Sequence, residues 1–277
     1  MTTRLRRPAV LTLLPGAILL LIAFALAAAE PAATTRYLAP AGSDAGGASL
    51  CLDPAAPCAT LRHAVAVSQP GDTLRFAPGN YPTAGVTLPH ALTLRGDDAA
   101  GAALDGGSAG TVLIVAPGVS AAVEGLTIRG GAGLRGGGIR VEAGGALAAR
   151  RADLSDNRAD LGGAVYVAGG SATIEDSRLS GNTAGMGGAI YLDGGSLALM
   201  RSDVSGNRAG AGAGLFAGAT ATADLNRVTF AGNVANTVGG AVHNAGALTI
   251  AHAILRDNRA GARGGGLFND HGTLDVD

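Results

Sequence analysis

Two short motifs recur along the chain at an interval of about 25 residues, and this interval limits the possible folds more than any other feature. LSDN (154–157), LSGN (179–182), VSGN (204–207), FAGN (230–233) and LRDN (255–258) fall in one column, which stacks Asn157, Asn182, Asn207, Asn233 and Asn258. GGGI (136–139), GGAV (162–165), GGAI (187–190), GAGL (212–215), GGAV (239–242) and GGGL (264–267) form a second column, with successive spacings of 26, 25, 25, 27 and 25 residues. A fixed period between about 20 and 50 residues is the mark of a solenoid, in which each unit buries its apolar face only against its neighbours.

Helical repeats are disfavoured, because a Gly-Gly pair in every unit would cost about 1 kcal/mol per glycine in a helix. The apolar runs are short, the spacing of leucine-rich repeats is missing, and the calcium-binding nonapeptide pattern is absent. The chain therefore reads as all-β, a right-handed parallel β-helix over residues 70–277. From Thr73 onward it has room for about 8 coils of ~25 residues, a rod of roughly 40 Å at the strand spacing.

The register makes further expectations, because each side chain in a parallel stack lies ~4.8 Å from its equivalent one coil away. Charges alternate as such stacking requires: Arg150 over Glu175, then Arg151, Asp176 and Arg201, then Asp153, Arg178 and Asp203. Ala159, Ala184, Ala209, Ala235 and Ala260 form a small-residue column suited to a tight inward corner. A stacked asparagine amide can donate to one coil and accept from the next while satisfying turn backbone groups, so the asparagine column reads as a structural ladder.

Both ends of the solenoid carry signals. CATLRHAVAVSQ (58–69) reads as a short capping helix with Leu61, Ala64, Val65 and Ser68 on one face, stopped by Pro70-Gly71. At the other end the chain stops at LDVD, in a strand equivalent to SLAL (196–199), so residues 70–277 read as a C-terminally incomplete β-helix.

Composition fits small-residue coils: 46 glycines and 3% aromatics leave no core built on large side chains. All 20 basic residues are arginine and they are spread along the chain, which gives no footprint for nucleic acid. Residues 1–29 read as an export signal peptide. Arg4, Arg6 and Arg7 start it, Ala9 to Ala28 form the apolar stretch, and Ala27-Ala28-Ala29 supplies an A-x-A site with cleavage after Ala29. An uncleaved anchor is the competing reading, since the stretch approaches the ~20 residues that span a bilayer. With the signal cleaved, no membrane span is expected. Residues 30–69 then form a linker and capping segment containing Cys51 and Cys58, which pair in an oxidising compartment or remain buried thiols.

GGA[IV] at Gly187–Ile190, Gly162–Val165 and Gly239–Val242, with FxxN at Phe230–Asn233, resembles the polymorphic outer membrane protein repeat. Only one of the five FxxN sites keeps the Phe. The segment from RYLAPAGSDAGG to QPGDTLRFAPGNY (36–81) is similar to the N-terminal region of exported bacterial β-helix proteins of the pectate-lyase-like superfold. The resemblance implies a secreted or cell-surface, adhesin-like protein.

Catalysis has little to build on. A pectate-lyase-like enzyme needs clustered carboxylates holding calcium beside a basic residue, and a glycosidase needs two carboxylates ~5–10 Å apart. Asp153, Glu175, Asp176 and Asp203 already face arginines in the alternating columns, Asp156 and Asp257 are four coils apart, and Asp97-Asp98 and Asp105 lie in irregular early coils. His63, His90, His243, His252 and His271 share no metal-ligand spacing, and no cofactor or metal is expected.

One column points to binding. Ile139, Val165, Ile190, Leu215, Val242 and Leu267 should face inward, so the next residues, Arg140, Tyr166, Tyr191, Phe216, His243 and Phe268, should face outward as an aromatic stripe. Such a stripe can grip glycans or surface proteins, or stack simply to stabilise the sheet. The sequence thus favours a non-catalytic adhesin-like β-helix. A polysaccharide lyase or glycosidase and a passive structural stalk are the alternatives.

Overall fold

A computed structural model describes residues 33–45, 50–96 and 101–277. Residues 1–29, read above as an export signal, and Asp97-Asp98 lie outside the described residues. The rest is an all-β parallel solenoid of the expected right-handed β-helix type, with three sheets of sixteen, eight and six strands along its length. The eight-stranded sheet receives one strand per turn, which gives the expected coil number.

One coil explains the others. The strand Val165–Glu175 runs along the largest sheet, and its register against Ile190–Met200 shifts near Ala168, where Gly169 and Gly170 bend it. The chain then turns at Asp176, held in the left-handed region at φ 51°, into the short strand Arg178–Ser180 of the eight-stranded sheet. A second left-handed residue, Gly181 at φ 67°, turns it into Thr183–Met186 of the six-stranded sheet. Gly187, also left-handed, returns it to the large sheet. The Gly-Gly motif is needed here for two reasons. A Cβ on Gly187 would run into the carbonyl of Ile190, and one on Gly188 into the carbonyl of Ala213 in the next coil.

The register matches the columns read from the sequence. Ile139, Val165, Ile190, Leu215, Val242 and Leu267 are consecutive partners, as are Ala159, Ala184, Ala209, Ala235 and Ala260. Inward residues of successive strands, such as Leu154, Leu179, Val204 and Phe230, are fully buried and form one continuous core.

At the N-terminal end the helix covers Leu61–Val67, shorter than the segment 58–69, because Thr60 caps it by accepting from the His63 amide and Ser68 leaves it extended. Leu61, Ala64 and Val65 are buried, and the helix packs against strands Thr35–Leu38 and Val86–Leu88. The segment before the helix contributes a strand: Thr35–Leu38 pairs with Thr73–Phe76, so the large sheet starts ahead of residue 70.

Candidate functional site

The asparagine ladder is formed in full. Each amide nitrogen donates to a carbonyl in the preceding coil, as Asn182 Nδ2 does to Leu154 O at 2.8 Å. It also donates to the carboxamide oxygen of the next asparagine, as from Asn182 to Asn207 at 3.0 Å. That oxygen also accepts the backbone N–H of the preceding asparagine, from Asn157 through Asn258. Gly131 begins the series, donating its amide to Asn157 Oδ1 at 2.9 Å. Asn157, Asn182, Asn207 and Asn233 are buried with every polar atom engaged in the chain, which is a structural arrangement.

Two smaller ladders were missed in the sequence. Ala152 N donates to Ser177 Oγ and Ser177 N to Ser202 Oγ, both at 3.1 Å. Asn244 Nδ2 donates to Asn269 Oδ1 at 2.7 Å. Each has only two polar members, so the repeat itself did not single them out.

The aromatic column stacks in register, with Tyr166, Tyr191 and His243 buried and Phe216 and Phe268 half-buried. Ring centroids are 5.7 Å apart from Tyr166 to Tyr191, 5.0 Å from Tyr191 to Phe216 and 4.3 Å from Phe216 to His243, with planes within 10° of parallel. Phe268 continues the column at 5.4 Å, tilted by 48°. The rings lie outside the interior core, as strand alternation requires, yet Tyr166, Tyr191 and His243 are only 1%, 9% and 6% exposed. Each ring covers the faces of its neighbours. Arg140 is the register partner of Tyr166, and its guanidinium pairs with Glu142 at 2.7 Å. The cation over Tyr166 comes from Arg135, 5.5 Å from the ring centroid.

The polar ends of the column are also engaged. Tyr166 donates its hydroxyl to Asp193 Oδ2 at 2.7 Å, and burial together with this carboxylate pushes the phenol up to about 12. Burial also raises Tyr191. Burial lowers the His243 imidazole, with Asp270 3.8 Å away opposing the shift.

The charge columns hold in part. Arg150 pairs with Glu175 at 3.2 Å, and Arg201 pairs with both Glu175 and Asp176. Hydrogen bonds from Arg201 hold Asp176 below the usual carboxylate range. Asp153, Arg178 and Asp203 are register partners, but no ion pair joins them among the described residues. Side chains of this length splay on the outer face, so a shared column does not guarantee contact.

Cys51 and Cys58 form the disulfide, with Cα atoms 5.2 Å apart. Their sulfurs and a ring nitrogen of His63 lie within 4.8 Å of one another, a proximity the sequence spacing did not reveal, but the disulfide occupies both sulfurs. Neither of two concavities gathers a pair of carboxylates. One, of about 470 Å³, is lined by Leu50, Leu52 and Pro57 with Asp53 as its acid, and the other, of about 250 Å³, by Arg178, Ser205, Thr229 and Arg256 with Asp203. Comparison with known families, curated proteins and solved structures gave no match to this chain.

Proposed function

We propose that this chain is a non-catalytic structural stalk of an exported, secreted or cell-surface β-helix protein. The observation that carries the reading is the fate of the aromatic column. Its rings cover one another, its hydroxyl and imidazole face Asp193 and Asp270, and little of Tyr166 or Tyr191 is left for a ligand. The Cys51–Cys58 disulfide and the basic-then-apolar start of the sequence support export. Adhesin-like contact with glycans or surface proteins then falls to the other outer faces. The lyase or glycosidase reading has less support, because the two concavities hold one carboxylate each.

The test is expression of the full chain in an exporting host, with N-terminal sequencing, a glycan array and polysaccharide-cleavage assays. The expected result is a mature N-terminus at Glu30, no cleavage, and no glycan retention that depends on Tyr191. Polysaccharide cleavage, or retention abolished in a folded Tyr191→Phe variant, would overturn the stalk reading. A chain kept inside the cell with its N-terminus intact would overturn export.

A further inference from the structure

Two sulfurs and one imidazole meet at the N-terminal cap. Cys51 and Cys58 are buried, and His63 is half-buried in the first turn of the helix Leu61–Val67. One donor atom from each of the three lies within 4.8 Å of the other two, the one such group of histidine, cysteine and acidic side chains among the described residues.

Backbone contacts hold these residues in place alongside the S–S bond. Cys51 O accepts the Tyr37 amide at 2.7 Å, Cys58 N donates to Tyr37 O at 2.9 Å, and Cys58 O accepts the Ala39 amide at 3.0 Å. Both cysteines are therefore tied to the strand Thr35–Leu38 and its end by main-chain bonds. His63 is fixed from the other side. Asp44 accepts the Ala59 and Thr60 amides and the Thr60 hydroxyl, and Thr60 Oγ accepts the His63 amide. Opening the disulfide leaves two thiols and an imidazole at one corner of this frame.

Two thiolates and a neutral imidazole form a donor set that suits zinc, which stands ~2.3 Å from sulfur and ~2.0–2.1 Å from nitrogen. Magnesium and calcium, which take oxygen ligands, are poorly served by it. Cys51 also lies in the wall of the concavity of about 470 Å³, which gives an ion a route from solvent.

We infer that this corner is a redox-gated site for a thiophilic divalent cation such as zinc, with Cys51, Cys58 and His63 as ligands and water in the fourth position. In the disulfide form the site is shut. A dithiol reductant opens it by passing two electrons and two protons to the disulfide and becoming a disulfide itself. The two thiol protons then leave to solvent as the metal binds. The ion closes the same loop that the disulfide closes, so the cap is cross-linked in either state. This inference does not rest on the stalk reading, which concerns the outer faces of the coils.

Cobalt and zinc titrations of the full chain test this before and after reduction by a phosphine, which takes an oxygen from water to become its oxide and adds no competing thiol. The reduced chain is expected to take up one Co²⁺ with the near-ultraviolet charge-transfer absorption of cobalt–thiolate bonds, and to yield it to Zn²⁺. The oxidised chain should show no such absorption. His63→Ala should weaken binding by about tenfold or more, a loss seen even for residues behind the ligands. His90→Ala should leave it unchanged. Circular dichroism checks that each sample keeps its coils. A folded reduced chain without the absorption would overturn the inference, as would equal cobalt binding in the oxidised chain or in reduced His63→Ala. Unfolding on reduction alone would overturn it too, because the backbone frame would then not outlast the S–S bond.

Discussion

Asn182 Oδ1 accepts two hydrogen bonds from Asn157, from its backbone N–H at 3.0 Å and its side-chain amide at 3.2 Å, so one atom closes two donors of the preceding coil. Removing it leaves both donors buried without an acceptor. Asn182→Ala should therefore destabilise the fold by about 3 kcal/mol, taking ~1–3 kcal/mol for each buried group left unmade. Asn258→Ala should cost less, because Asn258 is only half-buried at the last rung. Urea unfolding midpoints of the two variants make the comparison.

Asp72 carries a second prediction, in acid. Burial raises its pKa, but hydrogen bonds from the Gln69 and Thr34 amides and the Arg36 guanidinium outweigh this and hold it below the usual carboxylate range. A lowered folded pKa gives stability that is fully present above the unfolded value of ~3.9 and lost as pH falls through the folded one. The difference in urea midpoint between wild type and Asp72→Asn should be largest at pH 6 and shrink steadily below pH ~4.

His243 acts in a separate window. Its lowered pKa means that the unfolded chain binds a proton first as pH falls, so stability present above ~6.5 declines below it. A His243→Phe variant keeps a ring between Phe216 and Phe268 and removes the titration. Melting temperatures between pH 7.5 and 5 should fall less steeply for the variant than for the wild type.

Reduction of Cys51–Cys58 should loosen the cap. A sequence separation of 7 closes a small loop, for which the chain-entropy relation gives about 2.5 kcal/mol. Hydrogen exchange in a Cys51→Ser/Cys58→Ser variant should rise first in Thr35–Leu38 and the helix Leu61–Val67, ahead of the coils around Asn182.

The sequence shows the coil period, the partners in each column and the asparagine ladder, because parallel stacking places residues ~25 apart at the same point of successive coils. It cannot show what covers an outer face. Alternation fixes that Tyr166 and Tyr191 leave the interior, but their burial comes with ring-on-ring contact along the column. The Ser177–Ser202 and Asn244–Asn269 contacts escaped for a related reason, since the same positions in other coils hold residues such as Ala152 and Ala217. Arg135 in place of Arg140 over Tyr166 depends on a competing pair with Glu142, which spacing does not encode.

The most direct test of the structural role assigned to the aromatic column is the unfolding free energy of Tyr191→Ala, measured beside Tyr191→Phe. Removing the ring between Tyr166 and Phe216 opens a gap in a buried stack, and a loss of about 3 kcal/mol is expected, with Tyr191→Phe within ~0.5 kcal/mol of wild type. If Tyr191→Ala were as stable as wild type while losing a glycan or surface partner, the column would be an exposed binding stripe and the account would be contradicted.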